Sequence, residues 1–216
     1  YEIPKRDWSS DVCSSDLVAS AGNLGVDRET GQTRYGTITS PVNAPSAITV
    51  GAANMHGSLV RSDDTVADYS SHGPTRFELH AKPDIVAPGH AIVSLGAPGS
   101  YLQTTYPQLQ VAPGYMRLNG TSMAAPVVAG AAALMLDGNP RLSAHTVKAV
   151  LQFTAQQMHN ADAMTQGAGE LNVAGAVRLA QLIEPSRSLD RYWLRMPSTP
   201  NPFDVLFAER VEWGKR

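Results

Sequence analysis

Residues 118–140, LNGTSMAAPVVAGAAALMLDGNP, join a glycine turn to a long apolar segment. After Ser122 the aliphatic residues recur at intervals of three and four, which is the spacing of one helical face. They are Val127, Val128, Ala131, Leu134 and Met135. Gly138-Asn139-Pro140 ends the pattern, because glycine commonly follows a helix and proline cannot continue one. The segment therefore predicts a helix over residues 122–138, and its Ala-rich, aliphatic composition predicts that this helix is buried.

Ser122 stands where the helix is predicted to begin, directly after the turn at Gly120. The first N–H groups of a helix have no intrahelical acceptor, and the helix dipole is positive there. A reacting oxygen, or an oxyanion developing beside Ser122, would be stabilised at this position. Pro126 fits within the first turn, where its missing N–H costs little. Two roles remain open for Ser122 from this pattern: a nucleophile, or simply the residue that caps the helix.

Short apolar strands precede this helix. Residues 17–23 (LVASAGN) and 47–52 (AITVGA) are typical of buried parallel strands, and they place Asn23 in a loop at a strand end. The Gly- and Pro-rich segment 63–98 predicts loops and short strands. Strands that are followed by helices indicate an α/β layered domain.

Two more helices are predicted after the first. Ser143 can cap a helix, whose apolar face has three- and four-residue spacing. That face consists of Val147, Val150, Leu151 and Thr154. Residues 173–182 predict another helix, and from Glu184 the composition shifts to Pro, Ser and Arg.

The composition narrows the classes of function. The 216 residues include 17 Lys and Arg against 19 Asp and Glu, a formal net charge of −2 with His neutral. A content of 43% hydrophobic and 17% charged residues allows a sizeable core, unlike that of a disordered chain. The balanced charge offers no basic field for nucleic acid, and the apolar run 127–136 is too short to span a bilayer. The single Cys excludes a disulfide framework. We expect neither nucleic-acid binding nor a membrane span.

The start of the chain has no usable periodicity. Residues 7–17, DWSSDVCSSDL, place their apolar side chains between Ser and Asp clusters, which indicates a loop. This stretch also resembles the translation of a common high-throughput sequencing adapter. We therefore expect residues 1–17 to be non-native, so that Trp8 and Cys13 carry no function. The alternative is a real surface loop rich in Ser and Asp.

The neighbours of Ser122 distinguish between known serine-nucleophile motifs. A nucleophile elbow requires G-x-S-x-G, and Ala124 stands where its last Gly is needed, which disfavours an unrelated α/β hydrolase. The S-x-x-K motif of penicillin-binding proteins requires Lys where this chain has Ala125. Residues 120–126 instead resemble the nucleophile motif of the subtilisin-like serine peptidases (subtilases), Gly-Thr-Ser-Met-Ala-x-Pro.

Further sequence blocks extend this resemblance over residues 18–182, in the order that the family has them. The blocks are residues 18–23, 69–74, 82–89, 139–140 with 147–148, and 169–172. The commonest family form has His at position 127, and Val127 is an accepted apolar variant. The resemblance implies an α/β fold with a three-layer parallel sheet, of which this chain would hold the C-terminal half.

The resemblance also implies roles for individual residues. Ser122 Oγ would attack a peptide carbonyl, and the side-chain amide of Asn23 and the backbone N–H of Ser122 would hold the oxyanion. Ser20, Ala21 and Gly22 would line the primary specificity pocket, where their small side chains leave room for a sizeable substrate side chain. The implied substrate is a peptide or protein, and the implied location is secreted or in the cell envelope. The oligomeric state is not indicated.

Subtilases order their triad as Asp, His and Ser, and the Asp-Ser/Thr-Gly and His-Gly-Thr motifs of the first two do not occur before Asn23. We expect residues 18–183 to be the C-terminal half of a peptidase domain and residues 184–216 to be a tail or linker to a further domain. Without a general base, Ser122 is a weak nucleophile, so we expect this chain by itself to be inactive. The competing hypothesis is a non-catalytic binding or structural module derived from the same fold.

The other titratable residues do not indicate a second catalytic site or a metal site. His72 follows Asn23 and matches a different family block, so we do not expect it to be the catalytic His. The other histidines lie in turn-rich or helix-surface contexts; they are His56, His80, His90, His145 and His159. Asp63, Asp64 and Asp68 could suggest calcium, which many subtilases bind, but their spacing lacks an EF-hand loop and favours a solvated turn. We expect no cofactor.

Overall fold

The computed structural model describes residues 17–186, 193–195 and 200–214. Its central sheet contains β1 (Val18–Ser20), β2 (Ile48–Asn54), β3 (Thr65–Val66) and β4 (Ile85–Pro88). β2 pairs in parallel with both β1 and β4, and antiparallel with β3. The two predicted parallel strands are thereby confirmed as β1 and β2. The adapter-like stretch, including Trp8 and Cys13, lies outside the described residues apart from its last position.

Five α-helices lie within the described residues. They are α1 (Tyr101–Thr105), α2 (Thr121–Gly138), α3 (Ala144–Thr154), α4 (Ala163–Gln166) and α5 (Val173–Leu182). The main core contains side chains of β2, β4, α2, α3 and α5. The hydroxyl of Ser143 accepts a hydrogen bond from the Thr146 N–H and caps α3, whose buried face is the predicted one. The α/β fold and the three predicted helices are confirmed.

The burial of α2 differs from the prediction. α2 buries Thr121, Ala124, Val128, Ala131 and Met135, which follow one helical face. Leu134, which the sequence placed on the same apolar face, is 54% exposed. The prediction that this helix and its apolar face are buried is therefore wrong at Leu134, because the described part of the chain packs against the face of Ala124, Val128, Ala131 and Met135 only. α2 is also long and apolar enough to cross a membrane by length and composition, a criterion that the core helices of globular proteins often meet.

Two smaller sheets complete the described architecture. β5 (Ile92–Leu95), β6 (Gln110–Ala112) and β7 (Tyr115–Leu118) form an antiparallel sheet in the order β5-β7-β6. β8 (Phe203–Leu206) and β9 (Glu209–Glu212) form a hairpin. Trp213, directly after β9, is buried in the main core. Segment 63–98 holds loops and short strands, as predicted.

A buried ion network fixes the segment before β4. Asp84 accepts hydrogen bonds from the Lys82 ammonium at 2.6 Å and from the Thr49 N–H at 2.8 Å, and it pairs with the Lys148 ammonium of α3 at 2.9 Å. Lys82 is only 1% exposed, and its ammonium also donates to the Ala47 carbonyl. Paired in this way, the buried charges do not carry the large cost of an isolated buried ion. The network ties α3 to the start of β2.

Candidate active site

The start of α2 presents Ser122 on the surface. Gly120 is the N-cap residue, with φ 149°, and as a glycine it provides no side-chain cap of its own. Ser122 follows one residue inside the helix, and its side chain is exposed. The alternative that Ser122 is the capping residue is therefore wrong. Its backbone N–H lies in the first turn, where N–H groups have no intrahelical acceptor.

Asn23 reaches the same helix start from the loop after β1. Its side-chain oxygen Oδ1 accepts hydrogen bonds from the Thr121 N–H at 3.0 Å and from the Thr121 hydroxyl at 3.1 Å. Two donors on Oδ1 fix the orientation of the carboxamide, because the nitrogen Nδ2 must then point the other way. The structure thus brings Asn23 and Ser122, 99 positions apart in the sequence, to the two sides of Gly120 and Thr121.

Gly120 leaves open the space that these two groups flank. A Cβ added to Gly120 would lie 3.4 Å from Asn23 Nδ2 and 3.7 Å from the Ser122 backbone nitrogen. Its φ of 149° is also one that L-residues rarely adopt. Glycine therefore keeps a gap beside two N–H donors, which is the arrangement that an oxyanion requires.

Two buried hydroxyls hold the loop that carries Asn23. The Thr121 hydroxyl accepts from the Gly22 N–H at 3.1 Å. Ser71 binds the same loop from the other side: its hydroxyl accepts from the Leu24 N–H at 3.1 Å, and its N–H donates to the Gly22 carbonyl at 2.9 Å. Thr121 and Ser71 are both fully buried. These contacts hold the loop in place and thereby position the exposed side-chain amide of Asn23.

The Ser122 hydroxyl makes no hydrogen bond to a histidine or a carboxylate within residues 17–186, 193–195 and 200–214. His72 lines a cavity that Asn23 also lines, but it is only 6% exposed, and its backbone N–H donates to the Thr37 hydroxyl at 3.0 Å. Burial lowers the pKa of His72, and the charge of Asp162 opposes this. His72 therefore behaves as a buried neutral side chain, in keeping with the expectation that it is not the catalytic His.

Two cavities open on either side of the site. One of about 1030 Å³ is lined by Asn23, Tyr69 and Asn119, among others, and is polar in character. Another of about 580 Å³ is lined by Ser122, Met123, Pro126 and apolar residues of β5 and β7. An exposed hydroxyl between a polar and an apolar cavity can be reached by an extended polypeptide.

The predicted pocket residues lie where β1 ends. Ser20 is the last residue of β1 and is half-buried. The Ala21 side chain is buried against Ile38 and Val42. Gly22 has φ 106°, and a Cβ there would come within 2.9 Å of the Ser71 hydroxyl. Only glycine therefore allows the close approach of Ser71 to this loop.

The three aspartates considered for calcium do not form a site. Asp63 and Asp68 are exposed, but Asp64 is buried, so the prediction of a solvated turn is wrong for Asp64. Asp63 accepts hydrogen bonds from the Ser58 hydroxyl. In the described part of the chain, no three His, Cys, Asp or Glu residues are grouped as metal ligands would be. These aspartates do not fit a calcium ion, and no step of the chemistry is assigned to one.

The model of the Subtilase family matches residues 7–175. The chain belongs to the subtilase family. The relatives that this chain resembles are serine proteases by name or family.

Individual subtilases are similar to this chain in sequence and in structure. Serine protease AprX of Bacillus subtilis is 38% identical over 170 residues, which are 79% of this chain and 36% of that protein. Subtilisin DY of Bacillus licheniformis is 36% identical over 162 residues, 75% of this chain and 46% of that protein. The solved structure of the patellamide maturation protease PatA matches with a TM-score of 0.54 and 30% identity, covering 76% of this chain and 51% of PatA. This subtilase chain thus spans about half, or less, of the relatives it matches.

Thr121 and Ser71, which hold the loop of Asn23, were not predicted from the sequence. Thr121 lies inside the nucleophile motif, and Ser71 lies in the block 69–74, but neither motif predicts a role for these two side chains. Their contacts join positions that are 98 and 47 residues apart. The only signal in the sequence is that a small hydroxyl residue occurs in each block.

Proposed function

We propose that this chain supplies the nucleophile and the oxyanion hole of a serine endopeptidase. The observation that supports this most directly is the gap at Gly120, which Asn23 Nδ2 and the Ser122 N–H flank. Because Thr121 binds Asn23 Oδ1, the Nδ2 donor is oriented before any substrate arrives. Donors that are already oriented need no reorganisation as charge develops on the carbonyl oxygen.

The reaction would be acyl transfer. Ser122 Oγ attacks the carbonyl carbon of a peptide bond, and the carbonyl oxygen becomes an oxyanion between the two donors. Collapse of this intermediate expels the amine and leaves an acyl-serine, which water then hydrolyses. The attacking hydroxyl must lose its proton to a base, and the leaving amine must gain one.

We propose that the Asp and His of the triad belong to polypeptide outside the described residues. The Ser122 hydroxyl has no basic partner in the portion that the structure describes. The family order places Asp and His before Ser, and this chain covers only 36% of AprX and 46% of subtilisin DY. The present chain would then have only residual reactivity.

The substrate would be a peptide or protein that lies along the end of β1. Ser20, Ala21 and Gly22 would form one wall of the primary specificity pocket. Their proximity to Asn23 supports this, because the residue before the scissile bond must lie near the oxyanion hole. Secretion is the location that we propose, since one relative is by name the minor extracellular protease Vpr of Bacillus subtilis.

The test is the rate at which a fluorophosphonate labels Ser122. We expect slow labelling of the chain and none of a Ser122→Ala variant. Asn23→Ala should slow the labelling by about 10²–10³-fold, which is the effect known for the equivalent donor in subtilisin. Asn43→Ala is the matched control, since Asn43 is remote from Ser122 and its amide binds Glu78 at the surface.

A second measurement tests the missing base. The part of AprX that precedes its matching region would be added to the chain, and peptide hydrolysis would be followed. Hydrolysis that depends on both Ser122 and the added polypeptide supports the proposal. Equal labelling of wild type and Asn23→Ala would exclude Asn23 from the oxyanion hole. A chain that neither reacts nor responds to the added polypeptide would be a binding or structural module.

A further inference from the structure

Two buried carboxyl groups, those of Asp64 and Glu170, interact with each other, and Asp64 also lines the large cavity that Asn23 lines. Asp64 follows the short 3₁₀ helix Arg61–Asp63, and Glu170 lies between α4 and α5. Asp64 is 5% exposed and Glu170 is 1% exposed. Charged carboxylates are almost never buried this deeply without partners.

The described residues provide too few hydrogen-bond donors and cations to stabilise a negative charge on both Asp64 and Glu170. Both oxygens of Asp64 and the Oε1 of Glu170 lack a hydrogen-bond donor among the described residues. Glu170 Oε2 pairs with the Arg61 guanidinium at 3.1 Å. One cation therefore faces two carboxyl groups. Two carboxylates in contact are both acceptors, so a hydrogen bond between them requires a proton on one of them.

We propose that Asp64 and Glu170 share one proton, and that this carboxyl–carboxylate pair is an alkaline-sensitive lock between the segment 61–64 and the C-terminal part of the chain. With one proton shared, the remaining negative charge is balanced by Arg61. Loss of the proton leaves two adjacent buried anions and one cation, which is an unfavourable arrangement in a low-dielectric interior. The inference does not depend on a catalytic role of Ser122.

Arg61 connects the pair to three other parts of the molecule. Its guanidinium donates to the Gln156 side chain at 2.7 Å and to the Leu171 carbonyl at 3.2 Å. Its backbone N–H donates to Glu209 of β9 at 2.8 Å. Movement of Arg61 would therefore be transmitted to the β8–β9 hairpin.

Other charged groups surround the pair. Asp63 and His56 act on Asp64 from neighbouring segments. A cavity of about 290 Å³ beside Glu170 is also lined by His159, Glu209 and Arg210. Because histidine is the other side chain that changes charge near neutral pH, each measurement below is repeated in a chain that carries His56→Gln and His159→Gln.

The direction of the pH effect follows from the two states of Glu170. Burial raises the pKa of Glu170 to about 8; Arg61 opposes the rise and Asp64 adds to it. Burial also raises the pKa of Asp64. In the unfolded chain a glutamate loses its proton near pH 4.3. Between these values the folded chain holds about one proton more than the unfolded chain, so raising the pH favours unfolding, by up to about tenfold per pH unit.

The direct test is a carboxyl ¹³C NMR titration of the full 216-residue chain from pH 5 to 10. We expect one carboxyl resonance to titrate near pH 8. It should be absent from Glu170→Gln, displaced in Asp64→Asn and unchanged in Asp68→Asn, an exposed control on the same segment. If no carboxyl group titrates above pH 6 in the wild-type chain, the shared proton is excluded, whether or not the variants fold.

The lock itself is tested by hydrogen exchange of residues 61–66 and 209–212, corrected for the intrinsic pH dependence of exchange. We expect protection in the wild-type chain to fall progressively as the pH rises from about 5 to 8 and to level off above that, whereas protection in Glu170→Gln should be independent of pH. A carboxyl group that titrates near pH 8 without any change in protection would overturn the lock. Protection that falls equally in Glu170→Gln would also overturn it.

Discussion

Thr121 is the residue that links the helix start to the oxyanion loop. Its hydroxyl accepts from Gly22 and donates to Asn23, while its backbone N–H donates to Asn23 as well. The hydroxyl therefore contributes two of the contacts that orient the Asn23 amide. The backbone contact does not depend on the side chain.

We expect Thr121→Val to slow fluorophosphonate labelling of Ser122 by about tenfold, because each lost hydrogen bond is worth about 1 kcal/mol and the backbone contact remains. The loss should be smaller than that of Asn23→Ala. Thr121→Ser keeps the hydroxyl and should react nearly as fast as the wild type. If Thr121→Val and Thr121→Ser reacted at the same rate, the hydroxyl would have no part in positioning Asn23.

Single residues were predictable where a motif fixes the chemistry. The sequence blocks predict Ser122 and Asn23 as site residues, and the structure places both beside Gly120. Asp64 was assigned to a solvated turn because neighbouring aspartates are usually exposed. Asp64 is buried and interacts with Glu170, which is more than 100 positions away, and no local sequence pattern indicates that contact.

At the scale of elements, the accuracy of prediction depended on amphipathicity. α3 has polar residues on one side and a clear apolar face, so its capping residue and its buried residues followed from the sequence. α2 is apolar on most sides, so its sequence identified a helix but assigned the exposed Leu134 to the covered face. Burial of such a helix depends on the elements around it rather than on its own pattern.

The cap of α3 gives an element-scale prediction. Ser143→Ala removes the side-chain acceptor of the Thr146 N–H and should lower the free energy of unfolding by about 1 kcal/mol. Ser143→Asp keeps an acceptor at the N-terminus and should be close to wild type. Urea unfolding measures both. A Ser143→Asp variant as unstable as Ser143→Ala would show that the cap does not stabilise α3.

At the scale of the whole molecule, the central sheet has an unpaired edge and a partly uncovered helix. β1 pairs with β2, and its outer edge has no strand within the part of the chain that the structure describes. The apolar cavity at Ser122 lies at the start of the same helix, whose Leu134 is exposed. A free strand edge and an exposed apolar surface favour association with other polypeptide.

We therefore expect the isolated chain to bind an apolar dye and to have poor solubility. If the uncovered surface is where the base-bearing polypeptide packs, the AprX segment should reduce dye binding at the same concentration at which it restores hydrolysis. Ser122→Ala is the control, because it should lose hydrolysis but keep the reduction in dye binding. A cooperative thermal transition without dye binding would contradict the exposed surface. Hydrolysis restored without a change in dye binding would place the added polypeptide elsewhere on the molecule.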